Sequence, residues 1–382
     1  MIRLTIPSIE PDDLDAVRAV LQTGFLVQGA QVAAFEQAVA AYVGVKYAVA
    51  VSNCTAALHL ALLALDVRPG DLVVTTAYSW PATANVVELC GAQPVFVDIC
   101  PDTFNMDSEA LAGVLERLMA NPETARRVKA ILPVHTFGQL AAMPAILELA
   151  ARYELPVVED AACALGAALE GRQAGAWGVM GCFSFHPRKA ITTGEGGMVT
   201  TNNPALARQL RMLRNHGLDP DAATPEFLTP GFNYRLTEFQ GAFGVTQLAK
   251  LDRIITARRE RAARYNTLLA DTPFVAPSVA PGHEPVYQSY VALLPPELAA
   301  RRAELIQTLK AQGIETTIGT WHIPLVTYYR TRYDYRPGDF PAADTVFVRA
   351  LTLPLHETLT DEELVQVVAA LCKAVTDLGS RR

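Results

Sequence analysis

Short, unbroken apolar runs recur along the first half of this chain: Tyr47–Val51, Leu72–Thr76, Pro94–Asp98, Lys129–Val134 and Pro156–Glu159. A strand that is apolar at nearly every position has no polar face to give to water. It is buried on both sides, as in a mostly parallel sheet covered by helices. The segments between the runs carry helical spacing. Residues 11–22 predict a helix stopped by Gly24, and a second opens after Gly29 and stops at Gly44. Further helices are predicted from Ser52-Asn53-Cys54-Thr55 to Leu65, and over 82–89, 111–118, 143–153 and 204–214.

The pattern changes near residue 235. Thr237 to Leu269 predicts one long connecting helix. A proline-rich segment follows, then a strand (286–293), a helix (297–312), a strand (314–317) and a last helix (361–378). Residues 322–340 are tyrosine-rich and predict an irregular loop that packs on something. At 382 residues the chain is long for one core. Two domains are expected, a large one over 1–250 and a smaller α+β domain over 251–382.

A net charge of −7 without a lysine/arginine block argues against a nucleic-acid partner. No apolar run has membrane-spanning length, and the first residues do not form a signal peptide. The six cysteines are scattered without a C-x-x-C pair, which predicts reduced thiols in a cytoplasmic protein and no metal site.

The chemistry centres on residues 181–201, where two strand-like pieces (Cys182–Phe185 and Met198–Thr200) flank a loop with Lys189 and glycines 194, 196 and 197. Read alone, Lys189 is a surface-loop lysine. Asp160, at the end of a buried run, is a helix cap. Trp80 is a core aromatic, and Ser52 to Thr55 are ordinary caps. Read together they have one use. A lysine bonds an aldehyde, a carboxylate holds a ring nitrogen, a helix start with Ser184 takes a phosphate, and an aromatic covers the ring. Those are the requirements of pyridoxal phosphate (PLP).

The ordered motifs extend this. They include Asn53-x-Thr55-Ala56-Ala57, Pro133-Val134-His135-x-Phe137-Gly138, Glu159-Asp160-Ala161-Ala162, Ser184-Phe185-His186-x-x-Lys189, Gly194-Glu195-Gly196-Gly197 and Gly231-Phe232-Asn233-Tyr234-Arg235. Across nearly its whole length the chain resembles the PLP-dependent sugar aminotransferases of the DegT/StrS family. That resemblance implies the aspartate-aminotransferase-like α/β fold (fold type I), with a mostly parallel seven-stranded sheet in a large PLP-binding domain. Lys189 matches the lysine that bonds PLP, Asp160 the partner of the ring nitrogen, and Trp80 the stacking aromatic. Cys54, Thr55 and Ser184 match phosphate-binding positions. Asn233 matches an asparagine that reaches the phosphate from the other subunit of a homodimer. His135, Phe137, His186, Arg188, Arg235, Tyr328 and Tyr329 fall in or beside segments that resemble substrate-proximal loops. Cys163 is a departure, since relatives often carry Gln there to contact the ring oxygen, and Cys is a shorter and poorer donor. Related sugar dehydratases carry His where this chain has Lys189, so the resemblance implies transamination.

The implied reaction takes an amino group from L-glutamate to a nucleotide-linked keto sugar. The Thr-Thr-Gly-Glu-Gly-Gly loop resembles members acting at C4 of an NDP-4-keto-6-deoxyhexose. A 3-keto sugar nucleotide, a keto-cyclitol, and a non-catalytic PLP-binding regulator are the alternatives. A desolvated lysine beside a cationic ring is expected to have a lowered pKa.

Overall fold

A computed structural model of the chain describes residues 1–379. The strands are β1 (Tyr47–Val51), β2 (Leu72–Thr76), β3 (Tyr78–Ser79), β4 (Gln93–Val97), β5 (Val128–Leu132), β6 (Val158–Asp160), β7 (Ala168–Leu169), β8 (Arg172–Gln173), β9 (Met180–Ser184) and β10 (Gly197–Thr201). They continue as β11 (His283–Glu284), β12 (Tyr290–Leu293), β13 (Thr317–Ile318), β14 (Trp321–His322) and β15 (Ala350–Leu353). Strands β1, β10, β9 and β6 form one ladder and β4, β2 and β5 another. Two parallel bridges, Ile131 to Val157 and Val134 to Asp160, join them into seven strands in the order β1-β10-β9-β6-β5-β2-β4. Only β10 runs antiparallel to its neighbours. The strands predicted from apolar runs therefore form the expected sheet, and both faces are covered as the lack of alternation requires.

Alternate residues of each strand feed opposite cores. Val49, Val51, Val73, Leu132, Val158 and Cys182 pack with α3 (Cys54–Ala64) and α4 (Ala82–Leu89). Ala48, Ala50, Leu72, Val74, Ile131 and Phe183 pack on the other face. That face is covered by α2 (Ala30–Val43), α5 (Ser108–Met119) and α7 (Met143–Arg152). Helices α1 (Pro11–Thr23), α6 (Pro122–Ala125) and α8 (Pro204–Leu213) complete this part. Gly24 and Gly44 end α1 and α2 in the left-handed conformation that glycine adopts without strain.

Thr237 to Leu269 is not one helix. It divides into α9 (Glu238–Leu248) and α10 (Leu251–Leu269). At the break, buried Lys250 sends Nζ to Asp13 at 2.7 Å and Asp12 at 2.8 Å. Those ion pairs tie the kink to α1, a long-range constraint that helical periodicity does not carry. Beyond it, α10, β12, β15, α11 (Arg302–Ala311) and α14 (Asp361–Gly379) share a separate apolar cluster. The tyrosine-rich stretch is also more ordered than expected. It contains β14 and α12 (Thr327–Tyr333), before α13 (Pro341–Arg349), and β14 pairs with β3. No described helix is long and apolar enough to cross a membrane. All six cysteines are free thiols.

Candidate functional site

In a parallel sheet all carboxyl ends lie on one edge, where open α/β sheets bind ligands. Here β6 ends at Asp160, β9 ends at Ser184, and the antiparallel β10 starts at Gly197 on the same edge. The loop from Ser184 to Gly197 therefore presents Lys189 at that edge. A small cavity is lined by Ala162, Cys163, Ser184, Lys189 and Gln288, among others. Lys189 Nζ donates to Cys163 Sγ at 3.0 Å. Burial pulls the half-buried Lys189 amine down, but the acidic groups of Cys163, Cys54 and Asp160 outweigh it and leave the amine above its ordinary value. This differs from the lowered value expected beside a ring cation: the chain's own groups push the amine up.

Asp160 is 4% exposed and belongs to the α3/α4 face of the sheet. Oδ2 accepts from Thr83 Oγ1 at 2.8 Å and Oδ1 from the Ala162 N–H at 3.2 Å. Burial raises its carboxyl above the usual Asp range; these two donors, with Lys189 and His135, offset only part of that. Among the described residues, no lysine, arginine or histidine forms an ion pair with it. Asp160 is thus a buried carboxylate without a cation.

The start of α3 lies beside it. Asn53 caps the helix by accepting the Ala56 N–H at 2.8 Å, and the Ala57 N–H goes to Asn53 O. Neither the Cys54 nor the Thr55 N–H donates to a described acceptor. Two unclaimed donors on a helix start suit a phosphate. Gly197 is required here, since a Cβ on it would lie 2.4 Å from Asn53 O and 2.8 Å from Cys54 N. Its close approach is to the helix start. Burial pushes the Cys54 thiol well up, and Thr55 is exposed. Helix α2 differs: Glu238 plugs its start, accepting the N–H groups of Gly29 at 2.8 Å, Gln31 at 2.9 Å and Val32 at 2.9 Å.

The other candidates separate into groups. Trp80 follows β3, is 63% exposed and stands one turn before Thr83. Asn233 is exposed between Phe232 and Tyr234, whose rings stack at 4.8 Å against His59 of α3. His186 is half-buried, with Nδ1 accepting the Arg188 N–H at 3.2 Å, and burial lowers its pKa. Arg188 is exposed, and its carbonyl accepts from Gln288 Nε2. Arg235 donates to Asn215 Oδ1 at 2.8 Å.

Four candidates do not line the cavity. His135 is 0% exposed. Its Nδ1 accepts the Ala141 N–H at 3.2 Å and its Nε2 donates to Glu159 Oε2 at 2.8 Å, so both nitrogens are engaged inside the core. Tyr329 donates to Asn85 Oδ1 at 2.6 Å and Tyr328 to Glu88 Oε2 at 3.1 Å, clasping α12 onto α4. Phe137 likewise packs edge-on against Tyr78 and Phe104, with ring centroids 6.2 and 5.7 Å apart. Sequence patterns fix which segments these residues lie in but do not say which way a side chain points. They also miss Thr83 and Gln288. A threonine in the first turn of a helix and a glutamine before a strand carry no signal by themselves.

The pattern of the DegT/DnrJ/EryC1/StrS aminotransferases matches residues 7–372. The chain belongs to the DegT/DnrJ/EryC1/StrS aminotransferase family. Within it, the chain is 39% identical over 375 residues to GDP-perosamine synthase of Caulobacter vibrioides, covering 97% of each. Its fold superposes on PseC of Helicobacter pylori, an aminotransferase involved in pseudoaminic acid biosynthesis. There the TM-score is 0.90 and the identity 28%, with 98% of this chain and 99% of that one covered. It also superposes on Spr1654 of Streptococcus pneumoniae in its PLP form, with a TM-score of 0.91 at 26% identity and 99% of both chains covered. This DegT/StrS chain is accordingly a sugar aminotransferase with the PLP-dependent aminotransferase fold, and the family points to PLP dependence.

Proposed function

We propose that the chain transfers the amino group of L-glutamate to C4 of a nucleoside-diphosphate 4-keto-6-deoxyhexose, with PLP held at the carboxyl edge of the sheet. The observation that carries this reading is the pairing of one amine, Lys189, in a cavity with Ser184, with a buried carboxylate, Asp160, that forms no ion pair among the described residues. PLP, when bound, supplies an aldehyde and an electron-withdrawing ring that stabilises negative charge at the substrate carbon. Asp160 would hold the positively charged ring nitrogen, because burial makes its own unpaired charge costly. The N–H groups of Cys54 and Thr55 and the Ser184 hydroxyl would hold the phosphate. Trp80 would cover one face of the ring. Lys189 Nζ would hold the aldehyde carbon and, when free, would be the amine that takes a proton from one carbon and returns it at another. Positive charge arriving beside Asp160 favours the neutral form this base needs. Exposed Asn233 would complete the phosphate site of a second copy, giving a homodimer with shared sites.

The C4 preference is supported by the Thr192-Thr193-Gly194-Glu195-Gly196-Gly197 loop and by the relative whose name carries a GDP-linked amino sugar. Incubation with glutamate and defined 4-keto or 3-keto nucleotide sugars, read by mass and NMR, tests it. Product from the 4-keto compound alone is expected. Product only from the 3-keto compound, or from a keto-inositol without a nucleotide, would refute the C4 reading. Failure to release 2-oxoglutarate from glutamate would point to a non-catalytic regulator. Mixing inactive Lys189→Ala with inactive Asn233→Ala should restore activity if sites are shared, and no restoration argues that they are not.

A further inference from the structure

Thr83 is 1% exposed on the first turn of α4, and its Oγ1 lies 2.8 Å from Asp160 Oδ2 and 3.0 Å from Ser79 Oγ. A threonine hydroxyl has one proton to donate. Given to the carboxylate, it leaves the Thr83 oxygen as the acceptor for Ser79, so the hydrogen bonds run from Ser79 to Thr83 to Asp160. Ser79 is 5% exposed and sits on β3, where it pairs across the ribbon with Trp321 of β14. The opposite oxygen of Asp160 is held by the Ala162 N–H at 3.2 Å. The carboxylate is gripped through both oxygens, once by the backbone of the turn just past β6 and once by a hydroxyl delivered from α4.

We propose that Thr83, oriented by Ser79, is the positioning residue that keeps Asp160 ionised and aimed at the ring nitrogen of the cofactor. This rests on the PLP reading above. Lys189 and His135 favour the ionised form of Asp160, while burial opposes it and the Cys54 and Cys182 thiols beside it supply no positive charge. The Thr83 hydroxyl is the strongest of the influences that oppose burial. Without it, Oδ2 has no protein donor, and a proton shared with a neighbouring ring nitrogen moves toward the carboxylate. The ring then carries less positive charge and is a weaker electron sink.

The test uses holoenzyme loaded with PLP carrying 15N in the ring, in wild type, Thr83→Val, Thr83→Ser and Ser79→Ala. Valine keeps the branched shape and removes the hydroxyl. The Thr83→Val resonance should move toward that of a neutral pyridine, and the PLP Kd should rise roughly tenfold, the scale of one hydrogen bond to a charged group. Thr83→Ser should restore both, and Ser79→Ala should move both part of the way. A merely structural role would lower the melting temperature and leave the resonance in place. A Thr83→Val protein with wild-type resonance and affinity overturns the inference. If that variant does not fold, an unmoved Ser79→Ala resonance overturns it instead. Borohydride fixation separates the two failures: wild type that takes up no PLP on Lys189 sinks the cofactor reading itself, whereas normal uptake with unchanged variants sinks only the role of Thr83.

Discussion

Glu159 and Asp160 are adjacent in sequence, both buried, and opposite in use. Glu159 projects to the face covered by α2, α5 and α7. Its two oxygens accept four donors: the N–H groups of Gly175 at 2.8 Å, Trp177 at 2.8 Å and Gly178 at 2.7 Å, and His135 Nε2 at 2.8 Å. A carboxylate so surrounded has no capacity left for a ligand; it fixes the loop leading into β9. Asp160 projects to the α3/α4 face with two donors and a raised carboxyl. Saturation marks the structural acid and incomplete satisfaction marks the site, although burial alone does not distinguish them.

The largest effects should fall on the Asp160 side and appear only in chemistry. Lys189→Ala should abolish turnover, and a fully active variant would sink the assignment of that lysine. Asp160→Asn should cut kcat by about 10²–10³-fold, the scale for losing one preorganised charge. The same change should leave the melting temperature of the apo protein unchanged or higher, since it removes a buried uncompensated charge. Next in size, Glu159→Gln should lower apo stability by about 1–3 kcal/mol, because the amide turns donors toward N–H groups that need acceptors. Urea unfolding that ranks Asp160→Asn below Glu159→Gln would break the contrast.

A smaller effect follows from the raised Asp160 carboxyl. Below the ordinary Asp value both folded and unfolded chains hold the proton. As pH rises from there toward the raised native value, only the folded chain keeps it, so this group's contribution to apo stability falls through that window. Denaturation midpoints of wild type and Asp160→Asn across mildly acidic pH should converge as pH is lowered and separate as it is raised, and parallel curves would contradict the raised value. The smallest change is expected from Cys163→Gln. A longer amide at the position 3.0 Å from Lys189 Nζ should tighten PLP binding by about 1 kcal/mol or less, read from cofactor fluorescence. Weaker binding would show that the thiol fits this cavity better than the amide.

Much of the sheet was legible because strands buried on both faces are apolar at nearly every position. Leu72–Thr76 and Tyr47–Val51 match their predicted limits residue for residue. Lys189 and Asp160 were legible as a pair because strand ends and loops fix which edge they occupy. Thr83 was not, since its contact with Asp160 spans 77 positions and depends on how α4 sits over the sheet. The burial of His135 was equally hidden. Its motif marks a loop at the sheet edge, while the acceptor that turns it inward lies 24 residues away. The break at Lys250 has the same origin, as its partners Asp12 and Asp13 belong to the first helix.

The two-residue pairing of β14 with β3 bears on how such enzymes can be recombined. Trp321 and His322 lie far along the chain, yet they complete the ribbon that carries Ser79 and leads directly into Trp80. A chimera that takes its C-terminal third from a relative therefore also exchanges one edge of the proposed cofactor cradle. Grafts meant to change sugar preference should keep residues 78–83 and 321–322 from a single parent.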